Sequence, residues 1–493
     1  MISISRRDLL ASFLVLPAAL RADNGKSEWI PLFNGRSLEG WKASGNRHSF
    51  RVEGDRLVAA GSPGHLFYTG RVQHQSFKNF ELKADVLTTL GACSGIYFHT
   101  RFQPHGPPEK GFKVQIGNTY AGEGDYRERR KTGSLYGFGD IYKALARDDE
   151  WFQLRVLVRA KQVAVWLNDT LIVDYVEPDP PLHTEFSPEG VLDRGTFTLE
   201  CHDPRAKVYF RNLLVRPLPD DLPMATVERP VVDDVYRDLL RMNQQNFPVV
   251  DYHIHLKGGL TLEEALASSR RLGIMYGIAV NCGLGFPITD DTGASGFLAS
   301  MKGQPAFAAM QGEGREWVKL FSRDTIAKFD YAFTDGMTFT DDHGKRLRLW
   351  IPEEVGKIPD PEQFMEMYVD RILGVLNHEP IDIYANPTFL PDVIARDYDQ
   401  LWTVERMQKV IDAAKANDVA IEINNRYRIP SAAFIKRAKS TGVRFSFGTN
   451  NVDRNLGRME YAVAMVKECG LTWRDIFVPK PDGEKAAQRR KAA

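Results

Sequence analysis

The feature that most constrains this chain is a change of period part-way along it. Up to about residue 216 the apolar residues come in short alternating runs separated by Gly, Asn, Asp and Pro. Phe80-Glu81-Leu82-Lys83-Ala84-Asp85-Val86 and Val163-Ala164-Val165-Trp166-Leu167 are of this kind. Period two places successive side chains on opposite faces, so residues 29–216 predict an antiparallel β-sandwich, with Asn168-Asp169 as a hairpin turn. Arg216-Pro217-Leu218-Pro219-Asp220-Asp221-Leu222-Pro223 then opposes regular structure, and residues 217–230 read as a linker. Beyond it, apolar strands alternate with helical stretches. Seven strands are expected at Val249–His255, Gly277–Cys282, Ala306–Gly312, Phe329–Phe333, Ile381–Ala385, Val419–Ile423 and Arg444–Phe447. That alternation predicts a parallel sheet closed as an α/β barrel over residues 231–479, followed by a charged, solvated end at 480–493.

A chain of 493 residues, 43% apolar and 26% charged, has the material for two or three globular cores. Lys plus Arg equals Asp plus Glu at 64 each, so no long-range field favours nucleic acid or an anionic membrane, and recognition has to be local. At the N-terminus, Ser5-Arg6-Arg7-Asp8-Leu9-Leu10 sets paired arginines before an apolar run that ends near Ala22. Residues 1–22 therefore read as a twin-arginine-type export signal, too short for a stable membrane span, and place the protein in the periplasm or outside the cell. The four cysteines, Cys93, Cys201, Cys282 and Cys469, form no CxxC pair. Each reads as a small buried hydrophobe, with a Cys93–Cys201 bridge as the alternative.

Within the sandwich, alternation sorts residues by face. Phe112, Val114 and Ile116 share one face while Lys113 and Gln115 share the other; Tyr97 and His99 oppose Ile96 and Phe98; Glu200 and His202 lie together. The sum is a polar surface of Gln115, His99, His202, Tyr136, Lys113, Tyr97 and Glu200, chemistry that suits the hydroxyls and C–H faces of a sugar. Leu32-Phe33-Asn34-Gly35-Arg36-Ser37-Leu38-Glu39-Gly40-Trp41, Ser94-Gly95-Ile96-Tyr97-Phe98, Gly111-Phe112-Lys113-Val114-Gln115-Ile116, Thr132-Gly133-Ser134-Leu135-Tyr136-Gly137, Glu200-Cys201-His202-Asp203 and Val208-Tyr209-Phe210-Arg211-Asn212-Leu213 follow one another in order. Together they resemble the 3-keto-disaccharide hydrolase domain family, related in fold to concanavalin-like (jelly-roll) sandwiches. The resemblance implies cleavage of a glycosidic bond in a sugar oxidised at carbon 3. His202 or His99 would then serve as base, with Gln115 and Tyr136 orienting substrate and Lys113, Tyr97 and Glu200 lining the site. The chain departs from the family pattern at Lys113 and Gly117, where carboxylates are frequent.

In the second domain, Asp251-Tyr252-His253-Ile254-His255 ends the first expected barrel strand and points both imidazoles to one side, as two ligands of one metal require. Polar residues gather at the other strand ends: Asn281, Glu313, Asp335, Asn386, Glu422, Asn424 and Asn450. The domain resembles the polymerase and histidinol phosphatase (PHP) family, a distorted seven-stranded barrel, and Gln311-Gly312-Glu313 fits its glutamate motif. Asn281, Asn386, Asn450 and Met337 stand where that family carries acidic or imidazole ligands. Two readings follow for the barrel: a single divalent ion (zinc, manganese or iron) held by His253, His255 and Glu313 with help from Asp335, or a retired enzyme whose asparagines bind a neutral sugar. For the whole chain, the expected activity is that of an exported carbohydrate-active hydrolase or lyase. The rival makes the sandwich a non-catalytic carbohydrate-binding module beside a barrel that is either a metal-dependent hydrolase or a sugar binder.

Overall fold

The computed structural model describes residues 28–185, 187–225, 227–340 and 344–490. The expected export signal at residues 1–22 lies outside them. The expected period change is realised as two domains, a sandwich of two antiparallel sheets and a closed parallel barrel. In the larger sheet the strands lie side by side in the order Thr170–Val176, Gln162–Leu167, Phe152–Arg159, Asn79–Thr88, Val208–Leu218, Arg56–Ala59 and Phe50–Glu53, with Ile30–Pro31 also paired to Val208–Leu218. The smaller sheet runs Trp41–Gly45, Gly64–Tyr68, Thr196–Cys201, Ser94–Thr100 and Phe112–Ile116. Alternating residues Leu82, Ala84 and Val86 of one sheet and Ile96, Phe98, Val114 and Leu199 of the other close the core between them. The expected hairpin forms, with Leu167 opposite Thr170 and Asn168 at a φ of 52°, in the left-handed region that asparagine tolerates. The strand Val208–Leu218 continues into the expected linker: Pro217 pairs with Phe80 and Leu218 with Asn79.

All seven expected barrel strands are present, at Val250–His255, Met275–Cys282, Phe307–Gly312, Tyr331–Thr334, Ile383–Tyr384, Ala420–Asn424 and Phe445–Gly448. They pair in sequence order, and Asp251 opposite Phe447 closes the ring. Helices such as Leu262–Leu272, opened by a Thr261–Glu264 capping box and ended by left-handed Gly273, cover the outside. Among the described residues no helix is long and apolar enough to cross a membrane. All four cysteines are free and buried.

The sandwich docks on the end of the barrel where the strands begin. Tyr142 lies with its hydroxyl 2.8 Å from Asn243 Oδ1 and 2.9 Å from the Phe247 carbonyl. Lys143 donates to the Ala306 carbonyl at 3.0 Å and to Asp330 at 2.8 Å. Tyr252, Phe307, Tyr331 and Phe477 continue the sandwich core into the barrel interior. The mouth formed by the strands' C-terminal ends therefore faces away from the sandwich, and each domain carries its own polar site.

The charged end is not solvated as the sequence suggested. Through residue 490 it packs across the barrel's lower rim. Lys485 donates to the carbonyls of Ala327 at 2.7 Å and Phe329 at 2.8 Å, Arg490 donates to those of Leu376 and Glu379, and Ala486 and Ala487 are buried. Charge counting misses this because the basic groups answer carbonyls that helix ends leave unpaired, and the two alanines fit beneath them. Replacing Lys485 by Met should lower the unfolding free energy by about 2 kcal/mol, because two buried carbonyls lose their donor. Chemical denaturation of the purified variant checks this, and an unchanged midpoint would return the segment to the solvated tail first expected.

Candidate functional site

Strand register assembles the polar face of the smaller sheet. Ser44 lies opposite His65, His65 opposite Glu200, and Gly95 opposite Gln115, while Leu199 opposite Ile96 sets Glu200 beside Gly95. One pleat along, Tyr97 faces Lys113. These side chains point away from the inter-sheet core. Gly95 leaves room at this point: a Cβ there would stand 2.6 Å from Lys113 Cε, and its absence lets the lysine cross the strand in the path it takes. Lys113 Nζ thereby reaches Glu200 Oε2 at 2.7 Å, with both side chains largely buried.

The pair governs the electrostatics of the face. Burial favours the neutral acid and is the largest single influence, but the Lys113 ammonium with His65 and His202 together outweigh it and hold Glu200 below the usual carboxylate range. Burial is likewise the largest single influence on the ammonium and acts against it, but Glu200 together with Tyr97, Cys93 and Tyr136 outweighs it and holds Lys113 well above the ordinary lysine value. Tyr97 donates to Glu200 Oε1 at 3.4 Å. His65 Nε2, 3.9 Å from that same oxygen, makes no hydrogen bond, and burial lowers its pKa, so the imidazole is neutral at pH 7. Gln115 is fully buried, its Nε2 3.5 Å from Cys93 Sγ and its Oε1 without a partner. His202 follows Glu200 on the same side, with an unpartnered Nδ1 and its ring 5.7 Å from that of Tyr120.

A wall is added by residues 126–140. Tyr136 donates its backbone N–H to the Lys113 carbonyl and brings its ring within 4.9 Å of Lys113 Nζ. Glu128 Oε2 accepts from Tyr126 at 2.8 Å and from Tyr136 at 3.2 Å, and Arg130 lies 4.2 Å from the Tyr136 ring. Burial raises the Tyr136 phenol to about 12, so it stays a donor.

The structure thus brings together Gln115, Tyr136, Lys113, Tyr97, Glu200 and His202, but not His99. Between Tyr97 and Thr100 the strand advances three residues against two of its neighbour, Thr198 to Thr196, and His99 takes a φ of 56°. This bulge turns the imidazole inward, with Nε2 2.9 Å from the Lys78 carbonyl and the ring against Phe80 and Phe98. Simple alternation had placed it on the polar face. The residues that alternation missed are His65, Glu128, Tyr126 and Arg130. His65 does alternate with Leu66 in its strand, yet only cross-strand pairing reveals that it faces Glu200.

At the barrel mouth the two imidazoles lie on the same side, as expected, with ring centroids 5.1 Å apart. His253 Nδ1 is 2.6 Å from Glu422 and His255 Nδ1 is 3.1 Å from the Ala279 carbonyl. Burial holds the His255 imidazole well below its ordinary value, so with Nδ1 facing a carbonyl its buried, unpartnered Nε2 presents a lone pair; the buried Nε2 of His253 also has no partner. The expected carboxylates are otherwise engaged. Glu313 accepts from Asn281 at 2.6 Å, and Asp335 accepts from Asn386 at 2.7 Å and from the Met337 N–H at 2.9 Å. Among the described residues, no three His, Cys, Asp or Glu side chains come together as a group able to hold a metal ion. His253, His255, Glu313 and Asp335 all lie at this mouth without forming such a group.

Comparison with known proteins bears on the sandwich. Residues 28–216 match the model of the 3-keto-alpha-glucoside-1,2-lyase-like domain. Among solved structures, two candidate glycosyl hydrolases from Parabacteroides distasonis ATCC 8503 are similar to parts of the chain. The first is 23% identical with a TM-score of 0.34, covering 39% of this chain and 94% of the other. The second is 20% identical with a TM-score of 0.32, covering 39% and 100%. The carbohydrate binding module CBM66 from Bacillus subtilis is 12% identical with a TM-score of 0.26, covering 36% and 95%. No curated protein matches the chain.

His99 gives the lyase-like domain a pH signature. Burial lowers its pKa from 6.5 to about 4, so the unfolded chain binds the extra proton first and stability is lost as the pH falls from 6.5 towards 4. His99→Asn keeps the left-handed backbone and removes the titration. It should flatten the pH dependence of unfolding in that window, by up to about 3 kcal/mol at its acid end, and parallel curves for variant and wild type would refute the assignment. For the barrel, elemental analysis of protein purified after supply of zinc, manganese and iron should find well under one equivalent of any of them; one equivalent lost on His253→Ala would restore the metal reading.

Proposed function

We propose that the lyase-like domain cleaves glycosides of 3-keto sugars by elimination, in a protein exported through the paired arginines of its first residues. The observation that carries this is the neutral, unpartnered His65 Nε2 beside the buried Lys113–Glu200 pair, within the domain that matches the lyase-like family. A ketone at carbon 3 acidifies the C2–H bond. His65 takes that proton, the C–H electron pair becomes the C1=C2 bond, and the C1–O bond breaks. The imidazolium returns the proton to the leaving oxygen, and water adds across the double bond to give the free 3-keto sugar. Lys113, whose ammonium keeps protons beyond the one given to Glu200, is the donor that would stabilise charge on the ketone oxygen. Gln115 and Tyr97 orient the ring, and His202 stands at the edge of the same face. This reading moves the base from the histidines expected first to His65.

For the barrel mouth the donor arrangement favours a pocket for neutral hydroxylated groups. Two buried imidazole nitrogens have no partner, and amides donate to the carboxylates.

The test uses 4-nitrophenyl 3-keto-α-glucoside and follows nitrophenol release. The full chain should turn it over, with a primary isotope effect when C2 carries deuterium. His65→Gln should lower kcat at least about 100-fold while sugar binding is retained. Binding without any release would leave the domain a carbohydrate-binding module, and full activity in His65→Gln would remove this histidine as the base.

A further inference from the structure

The wall of the sugar site is tied to the sandwich sheet through Ser134 and Tyr136 but also reaches the barrel domain. Arg130 lies at its centre with a side chain only 1% exposed, and its donors divide between two domains. Within the sandwich, Nε donates to Asp140 at 2.9 Å, while Nη1 lies 3.3 Å from both Glu128 Oε1 and the Tyr126 hydroxyl. From the barrel domain, Asn246 Oδ1 accepts from Nη1 at 3.2 Å and the Asn243 carbonyl accepts from Nη2. Those two residues sit where the helix Asp234–Gln244 ends, at the negative pole of the helix dipole, where the Asn243 carbonyl also accepts the Asn246 N–H at 3.2 Å. Asn246 also donates to the Arg127 carbonyl at 2.7 Å. Farther out, Trp473 of the barrel domain meets the Tyr126 ring at 6.2 Å.

We infer that the barrel completes the sugar site of the sandwich: Asn243 and Asn246 hold Arg130, and Arg130 holds Glu128 and Tyr136 against Lys113. This rests on the reading of that face as the sugar site. Arg130 and Asn246 are positioning residues, since neither meets substrate. The consequence is a division of labour in which the barrel, whatever its own mouth binds, sets the affinity of the sandwich for glycosides. Removing the Asn246 side chain takes one acceptor from a buried guanidinium and one donor from the loop, freeing the Glu128–Tyr136 wall to move while the sheet bearing His65 and Lys113 stays in place.

Three variants of the full chain test this. Asn246 has a φ of 63°, so Asn246→Gly removes the side chain without straining the backbone. It should raise KM for 4-nitrophenyl 3-keto-α-glucoside about 5- to 10-fold with kcat within about 2-fold, and speed amide exchange in residues 126–140 about 10-fold, with the strands 94–100 and 112–116 unchanged. Asn246→Asp keeps the acceptor and should restore KM to within about 2-fold of wild type. Lys143→Met cuts a different contact between the domains, the Lys143–Asp330 pair, and should leave KM and the exchange of 126–140 as they are. Wild-type KM and exchange in Asn246→Gly would overturn the inference, as would an equal effect of Lys143→Met, which would make Arg130 mere interdomain glue. Should the wild type neither bind nor cleave the glycoside, the functional reading falls, and the exchange measurement still decides whether the barrel holds the wall.

Discussion

A guanidinium in a dry interior must find an acceptor for each of its donors, because leaving even one unanswered costs more than the bond itself contributes. Arg130 meets that demand only where two domains meet. Its acceptors are two carboxylates and a phenol of the sandwich, and an amide and a helix-end carbonyl of the barrel domain. The same contacts that join the domains also reach Glu128 and Tyr136, which stand over Lys113 and the polar face of the smaller sheet. One buried charge therefore takes part in both the docking of the domains, beside Tyr142, Lys143 and the shared apolar core, and the geometry of this face.

The chain carries no net charge, and its recognition chemistry is built from small, locally paired groups. On the sandwich the Lys113–Glu200 pair lies buried without repelling a neutral sugar, and it leaves a neutral imidazole and an unpartnered amide oxygen beside it. At the barrel mouth asparagines take the places next to Glu313 and Asp335, so those carboxylates face amide donors. The docking of the sandwich on the entry end of the barrel keeps the two surfaces apart, so one small substrate does not touch both.

Much of the architecture was legible in the residues. The two-residue period of the first domain and the alternation of strands and helices in the second follow from the geometry of isolated elements, and each expected barrel strand is found within a few residues of its predicted bounds. The shared side of His253 and His255, and that of Lys113 and Gln115, come from the same rule. Where alternation failed, it failed locally. One extra residue between Tyr97 and Thr100 carried His99 into the core, an insertion that no pattern of apolar and polar letters marks.

What the sequence determined by itself was every property set by neighbours along the chain: element type, facing, the turn at Asn168, and the order of motifs that mark the sandwich family. What only the tertiary structure decided was every property set by neighbours across it. His65 joins Glu200 through strand register, Lys113 reaches Glu200 through the gap at Gly95, the basic end segment finds the carbonyls of the barrel rim, and Arg130 finds Asn243 and Asn246. The reason is physical. Side-chain direction repeats with a short period along a strand or helix, so letters reveal it, whereas the partner of a buried polar group is whichever complementary group the folded chain brings within about 3 Å, at a sequence distance no local period encodes.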